Sequence, residues 1–166
     1  FDPGKESDAA NVLIDQGADV IFQHTASPAP IQAAQRRGVY SVGYASDMGR
    51  FGPDSVITSI EYNWEPFYVH TAQAVLDGEW VSDDYWGGLA DDALKMPMSS
   101  IVPEAYQNEA QEIIASIKDG SFHPFDGPVL DQKGEIRVPA GVSANKTDLA
   151  SMDYYVQGIA AEFPQR

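Results

Sequence analysis

The same punctuation occurs twice near the start of the chain, and it limits the fold more than any other feature. Asp2-Pro3 opens an apolar-periodic run (Ala9, Ala10, Val12, Leu13, Ile14) that stops at Gly17, and Ser27-Pro28 opens an Ala-rich run (Ile31, Ala33, Ala34) that stops at Gly38. A capping oxygen followed by a proline at the first helical position starts a helix, and a glycine ends it by accepting the left-handed conformation. The short apolar run at 19–24 suits a strand buried on both faces, and the apolar run at 39–44 reads as the next strand. Helix, strand, helix, strand with short joints is the grammar of a doubly wound parallel α/β sheet. Such a sheet calls for a strand ahead of its first helix, so the chain is expected to be an incomplete fragment whose N-terminal portion lies upstream of Phe1.

The pattern continues with a strand at 56–60, a helix at 64–77 that tolerates Pro66 in its first turn and closes on Gly78, and a helix at 103–118. The stripe Ala105, Ala110, Ile113, Ile114 and Ile117 assigns the face of that last helix to core. Between the two helices, Trp80, Tyr85, Trp86 and Gly87-Gly88 suggest a strand crossing toward another lobe. Val129-Leu130 and Ile136–Val138 read as a hairpin, 147–152 as a short capped helix, and 154–163 as apolar but open between strand and helix.

Composition removes several functions. Ten Lys+Arg against 25 Asp+Glu give a net charge of −15, which opposes a nucleic-acid polymer as partner because such affinity comes from cationic contacts to phosphate. Zero cysteines exclude disulfides and thiolate metal sites, and His24, His70 and His123 lack metal-ligand spacing, so neither metal nor cofactor is expected. There is no GxSxG elbow, no phosphate loop and no GxGxxG fingerprint, and the chain is not expected to be an enzyme.

A binding edge is expected instead. In an open α/β sheet, ligands sit outside the carboxyl ends of the strands. The Ala45-Ser46-Asp47 tip and Asn63-Trp64 follow two consecutive strand ends, His24 ends an earlier one, and the helix starts at Asp2 and Ser27 should face the same edge with free N–H groups. Each residue has a plainer reading: Asp47 as a turn former, Ser27 as a cap, Trp64 as core packing, His24 satisfied by backbone, and Trp86 beside two glycines at an ordinary bend.

FDPGKESDAANVLIDQGADVIFQHT, GVYSVGYASDM, TSIEYNW, WGGL, IKDGSFHPFDGPVLDQKGEIRVPAG and MDYYVQGI, in this order, resemble the C-terminal half of the basic membrane protein (BMP) family, the PnrA-like substrate-binding proteins of ABC transporters. The resemblance implies a periplasmic-binding-protein type I fold, with two α/β lobes joined by crossing strands and closing on a ligand by a hinge. Residues 1–85 would form the C-terminal lobe without its first strand, and 86–166 the crossing strands and terminal elements shared between lobes. It implies a periplasmic or membrane-anchored extracytoplasmic protein that delivers a purine-type ligand to an ABC permease; the alternative is a ligand-sensing domain of a regulator on the same fold. In nucleoside binders of the family the tip reads Asp-Ser-Asp and a lysine falls near Tyr62-Asn63, the two holding the ribose. Ala45 and the lysine-free Tyr62-Asn63 therefore favour a free nucleobase or another flat heterocycle, with Trp64 or Phe1 stacking on it. The expected ligand-binding set is Asp47, Trp64, Asn63, Phe1, Ser27, His24 and Trp86.

Overall fold

A computed structural model describes residues 1–164. Helix α1 (Pro3–Asp15) starts as expected: the Asp2 carboxylate accepts the Lys5 N–H at 3.2 Å and Pro3 occupies the first turn, where its missing N–H has no intrahelical partner to lose. Helix α2 (Ala29–Arg37) starts later than the Ser27-Pro28 signal suggests. Pro28 is itself the cap residue, and Ser27 stands one position outside, its hydroxyl accepting the Ala29 N–H at 3.3 Å. The helix ends on Gly38 at φ 69°, and its apolar face, Ile31, Ala33 and Ala34, is fully buried.

Strands β1 (Val20–Phe22), β2 (Tyr40–Ala45) and β3 (Val56–Tyr62) run parallel in sequence order, and β4 (Leu94–Lys95) closes the sheet antiparallel to β3. Helices α1 and α2 pack together, and Ala10, Ala33 and Ala34 meet Ile21 of β1 in one core cluster, with Ile14, Ala18 and Val39 at its rim. The small alanines let the helices lie close on the sheet. A second cluster joins Ile31, Met48 and Val56, with Phe51 of a 3-10 turn (Gly49–Phe51) beside it.

The expectation that β1 is buried on both faces does not hold. Ile21 is 4% exposed, but Phe22 on the opposite side is 64% exposed, because the helices cover one face only. The helical stripe at 103–118 is likewise corrected: helix α4 (Glu104–Lys118) forms, yet none of its residues is buried. Helix α3 (Glu65–Asp77) closes on Gly78 at φ 73°, with Trp64 as its cap residue and no buried residue of its own. The strand expected around Trp80, Tyr85 and Trp86 is absent; residues 79–88 are irregular, and the next pairing begins at Leu94.

The chain divides into two compact units, Phe1–Ile114 and the residues from Ala115 onward, with α4 running across the division. The second unit contains the expected hairpin, β5 (Val129–Leu130) antiparallel to β6 (Ile136–Val138). Helix α5 (Lys146–Ala150) is held by a capping box in which Asn145 accepts from Thr147 and Asp148 N–H groups and Asp148 reaches back to the Asn145 N–H. The segment at 154–163 is neither helix nor strand; it touches the hairpin through an Asp131–Val156 bridge and through Gln132, which donates to the Ile159 and Ala161 carbonyls.

Candidate functional site

Three parallel strands release their carboxyl ends along one edge of the first unit, and the polar and aromatic residues concentrate there. The ring of His24, just past β1, lies 4.3 Å from the ring of Tyr44 near the end of β2. Tyr44 meets Tyr62, the last residue of β3, edge-on at 5.6 Å, and the two hydroxyls hydrogen-bond. Tyr62 meets Trp64 at 5.8 Å, and Trp64 stacks on Tyr68 of α3 at 5.9 Å with planes 20° apart. The result is a row of rings across three strand ends. Trp64 remains 44% exposed, so its indole has surface to offer beyond its partners.

Polar groups flank the row. Asp47 is exposed and accepts the Gly49 N–H at 2.8 Å, so it forms the expected turn and still presents its other oxygen. Ala45, which pairs with Glu61 across β2 and β3, sits at φ 67°, a left-handed conformation that costs a residue with a Cβ about 1–2 kcal/mol. That turn swings the chain out of β2 toward Asp47. Glu61 faces Lys95 across β3 and β4 in register. Partial burial, and then the charge of Asp47, push the Glu61 carboxyl above the usual carboxylate range, with Lys95 acting against both.

The remaining expected site residues are placed differently. Ser27 is buried and donates to the Glu6 carboxylate, which the Ser27 hydroxyl, first among its neighbours, holds below the ordinary range. The bond ties the first turn of α1 to the loop before α2, so both helix starts do meet at the β1 end. Asn63 donates from its side chain to the Asp92 carbonyl at 2.8 Å, and from its backbone to the Ala93 carbonyl at 2.8 Å, anchoring the turn that leads into β4. Phe1 is 93% exposed at the start of the chain, and Trp86 lies exposed in the irregular 79–88 segment. Thus His24, Trp64 and Asp47 share the edge, Ser27 stands behind it, and Asn63 shapes it.

Sequence reasoning missed Tyr44, Tyr62, Glu61 and Lys95. The two tyrosines were legible in part, since Tyr44 ends one expected strand and Tyr62 stands just past the end of the next. Lys95 was not, because only the antiparallel return of β4 brings it opposite Glu61. Among the described residues no group of three or more His, Asp or Glu is arranged to hold a metal ion. No described helix is long and apolar enough to cross a membrane.

A family model for PnrA-like ABC transporter substrate-binding proteins, Bmp, matches residues 1–121. The chain is 44% identical over 165 residues to a purine-binding protein of Brucella abortus (strain 2308), covering 99% of this chain and 47% of that protein. It is 43% identical over 166 residues to a Haloferax volcanii protein provisionally named an ABC transporter glucose-binding protein, TsgA13, covering 99% of this chain and 40% of that protein. The chain therefore spans less than half the length of both relatives. Among solved structures, the fold is similar to that of a transcriptional activator of the comK gene from Bacillus halodurans, with TM-score 0.65 and 20% identity over 75% of this chain and 45% of that one. It is also similar to an ABC transporter solute-binding protein from Conexibacter woesei, with TM-score 0.58 and 20% identity over 74% of this chain and 42% of that one. At such identities these likenesses concern the fold, a mixed α/β architecture with a parallel sheet that solute-binding proteins share. Together with the family match and the near-complete coverage by a relative of high identity, they lead to one assignment: the chain belongs to the family of PnrA-like ABC transporter substrate-binding proteins.

Proposed function

We propose that this chain forms part of an extracytoplasmic solute receptor for an ABC permease, and that it binds a purine-type ligand, a free nucleobase in preference to a nucleoside. The carrying observation is the row of rings at the strand ends, His24, Tyr44, Tyr62 and Trp64. A flat, uncharged heterocycle is held by π surface and a few directed polar groups, and this edge supplies rings together with Asp47. The purine-binding relative from Brucella supports the same ligand class. The fold does not choose among ligands, since an activator of transcription shares it; the site must.

In this reading residues 1–85 belong to one lobe, 86–166 carry connecting and terminal elements, and closure of a second lobe by a hinge completes the cleft. Asp47 and Trp64 grip the ligand, with His24, Asn63, Ser27, Phe1 and Trp86 as supporting residues. Thermal denaturation of the complete protein with adenine, guanine, hypoxanthine, their nucleosides and glucose tests the proposal. Free bases should raise the melting temperature most. No stabilisation by any base or nucleoside at saturating concentration overturns it, and stabilisation by glucose alone replaces it with a sugar receptor.

A further inference from the structure

Gln23 stands immediately past the carboxyl end of β1, is only 3% exposed, and has no hydrogen-bond partner for either atom of its side-chain amide. An unpaired buried polar group gives up its hydration with nothing in return, whereas an apolar side chain of the same shape would lose nothing of the kind. The neighbouring polar groups do not answer it. The Ser27 hydroxyl is engaged with Glu6 and with the Ala29 N–H, and the Gln23 backbone N–H already donates to the Val42 carbonyl at 3.3 Å. The strand alternation puts Gln23 on the side of Ile21 and His24 on the other, so the two residues flank the end of β1. A ligand capping that strand end meets both.

Resting on the purine reading above, we infer that the Gln23 amide reads the edge of the bound base. A primary amide presents one N–H donor and one carbonyl acceptor side by side, the complement of a ring nitrogen next to an N–H. This pairing distinguishes bases wherever an Asn or Gln meets adenine. Gln23 lies on the helix-covered side of β1 and the rings on the open side, so a base that meets both does so end-on across the strand terminus, offering the amide an edge rather than a face. The adjacent N3 and N9–H of a free purine form such an edge, and attachment of ribose at N9 removes it. Gln23 thereby supplies a physical reason for preferring base over nucleoside that is independent of Ala45 and Asn63. The rival occupant of the same position is an ordered buried water.

The test uses the complete protein as wild type, Gln23→Met and Gln23→Glu, titrated calorimetrically with adenine and adenosine, with ligand-free melting temperatures measured alongside. Gln23→Met should lower adenine affinity by about tenfold or more, the equivalent of one lost hydrogen-bonded pair, with no fall in ligand-free melting temperature. Gln23→Glu keeps the shape but replaces the donor with an acceptor, and should lower adenine affinity as well. Adenine affinity within about twofold of wild type in both variants assigns the position to water and overturns the inference, as does a loss matched in both by a fall in ligand-free stability. If the wild-type protein binds adenine and the variants match it, only the role of Gln23 falls. If the wild type binds no purine at all, the proposed function falls with it.

Discussion

The carboxyl edge of the sheet and the β5–β6 hairpin are both rich in polar and aromatic residues, yet they treat them in opposite ways. In the hairpin, buried Asp131 accepts from the Lys133 and Glu135 N–H groups at 2.9 and 3.0 Å and pairs with Arg137. Burial works to raise its pKa, but those donors outweigh it and hold the carboxyl low. Arg137 also pairs with Asp153 and lies over the Tyr154 ring at 4.1 Å. Each of these side chains has a partner within the chain. At the sheet edge, Gln23 has none, Trp64 is half open, Ala45 holds an unfavourable conformation and Glu61 lies beside Asp47. Satisfied polarity is what a structural element requires, and the unsatisfied polarity at the strand ends is what the proposed ligand would answer.

The largest effect separating the regions should come from the backbone of the second unit. Gly127→Ala would drive a Cβ into the Pro139 carbonyl, a backbone atom that cannot move aside, and should cost about 3 kcal/mol or more in chemical denaturation. Gly43→Ala in β2 would meet the Ser59 hydroxyl, which can rotate aside, and the buried Met48 Cβ (2.7 Å), which moves only with its own backbone, so a cost of about 1–3 kcal/mol is expected. A smaller loss for Gly127→Ala than for Gly43→Ala would reverse the contrast. Trp64→Ala should weaken purine binding by about tenfold or more in calorimetry, with little effect on stability because the indole is half exposed. An equal loss of binding from Tyr154→Ala would show that the hairpin region also reads the ligand.

The smallest effects are the pH dependences, and they carry opposite signs. The Glu61 pKa is raised in the folded protein, so its penalty is absent below the unfolded value of about 4.3 and grows as pH rises through the folded value. Glu61→Gln should therefore raise the melting temperature at neutral pH, with the gain vanishing in acid. Asp126, held low first by the Ser143 hydroxyl and then by the His123 N–H, behaves oppositely. Its stabilisation is full above the unfolded value of about 3.9 and is lost as pH falls toward the folded value, so Asp126→Asn should lower the melting temperature at neutral pH and change nothing in strong acid.

Much of the fold was legible because its signals are local. Asp2-Pro3, Gly38 and Gly78 act through the backbone conformation of single residues, and the hairpin around 131–134 through a turn of a few. The missed features depend on what covers what. Periodicity at 103–118 correctly indicates a helix, but it cannot say whether another element lies on the stripe, and none of α4 is buried. Likewise 19–24 is apolar enough for burial on both sides, and only the one-sided packing of α1 and α2 leaves Phe22 open. Ser27-Pro28 carries a valid start signal, yet the Ser27 hydroxyl went to Glu6 of another helix as well as to its own.

The candidate site divides in the same way. Position past a strand end is a property of the sequence once the strands are found, and it selected Asp47, Trp64 and His24. Whether such a residue is engaged or open is a property of packing: Asn63, which the sequence offers as a ligand contact, spends its amide on Asp92, and Gln23, which drew no notice, is left without a partner. The sequence by itself determined a parallel α/β sheet with a polar and aromatic carboxyl edge, because helix starts, helix stops and strand periods are set by nearest neighbours. Only the tertiary structure decided that the rings align across three strands, that Lys95 returns opposite Glu61 and that Gln23 is buried unpaired, because strand order, register and burial join residues far apart in the chain.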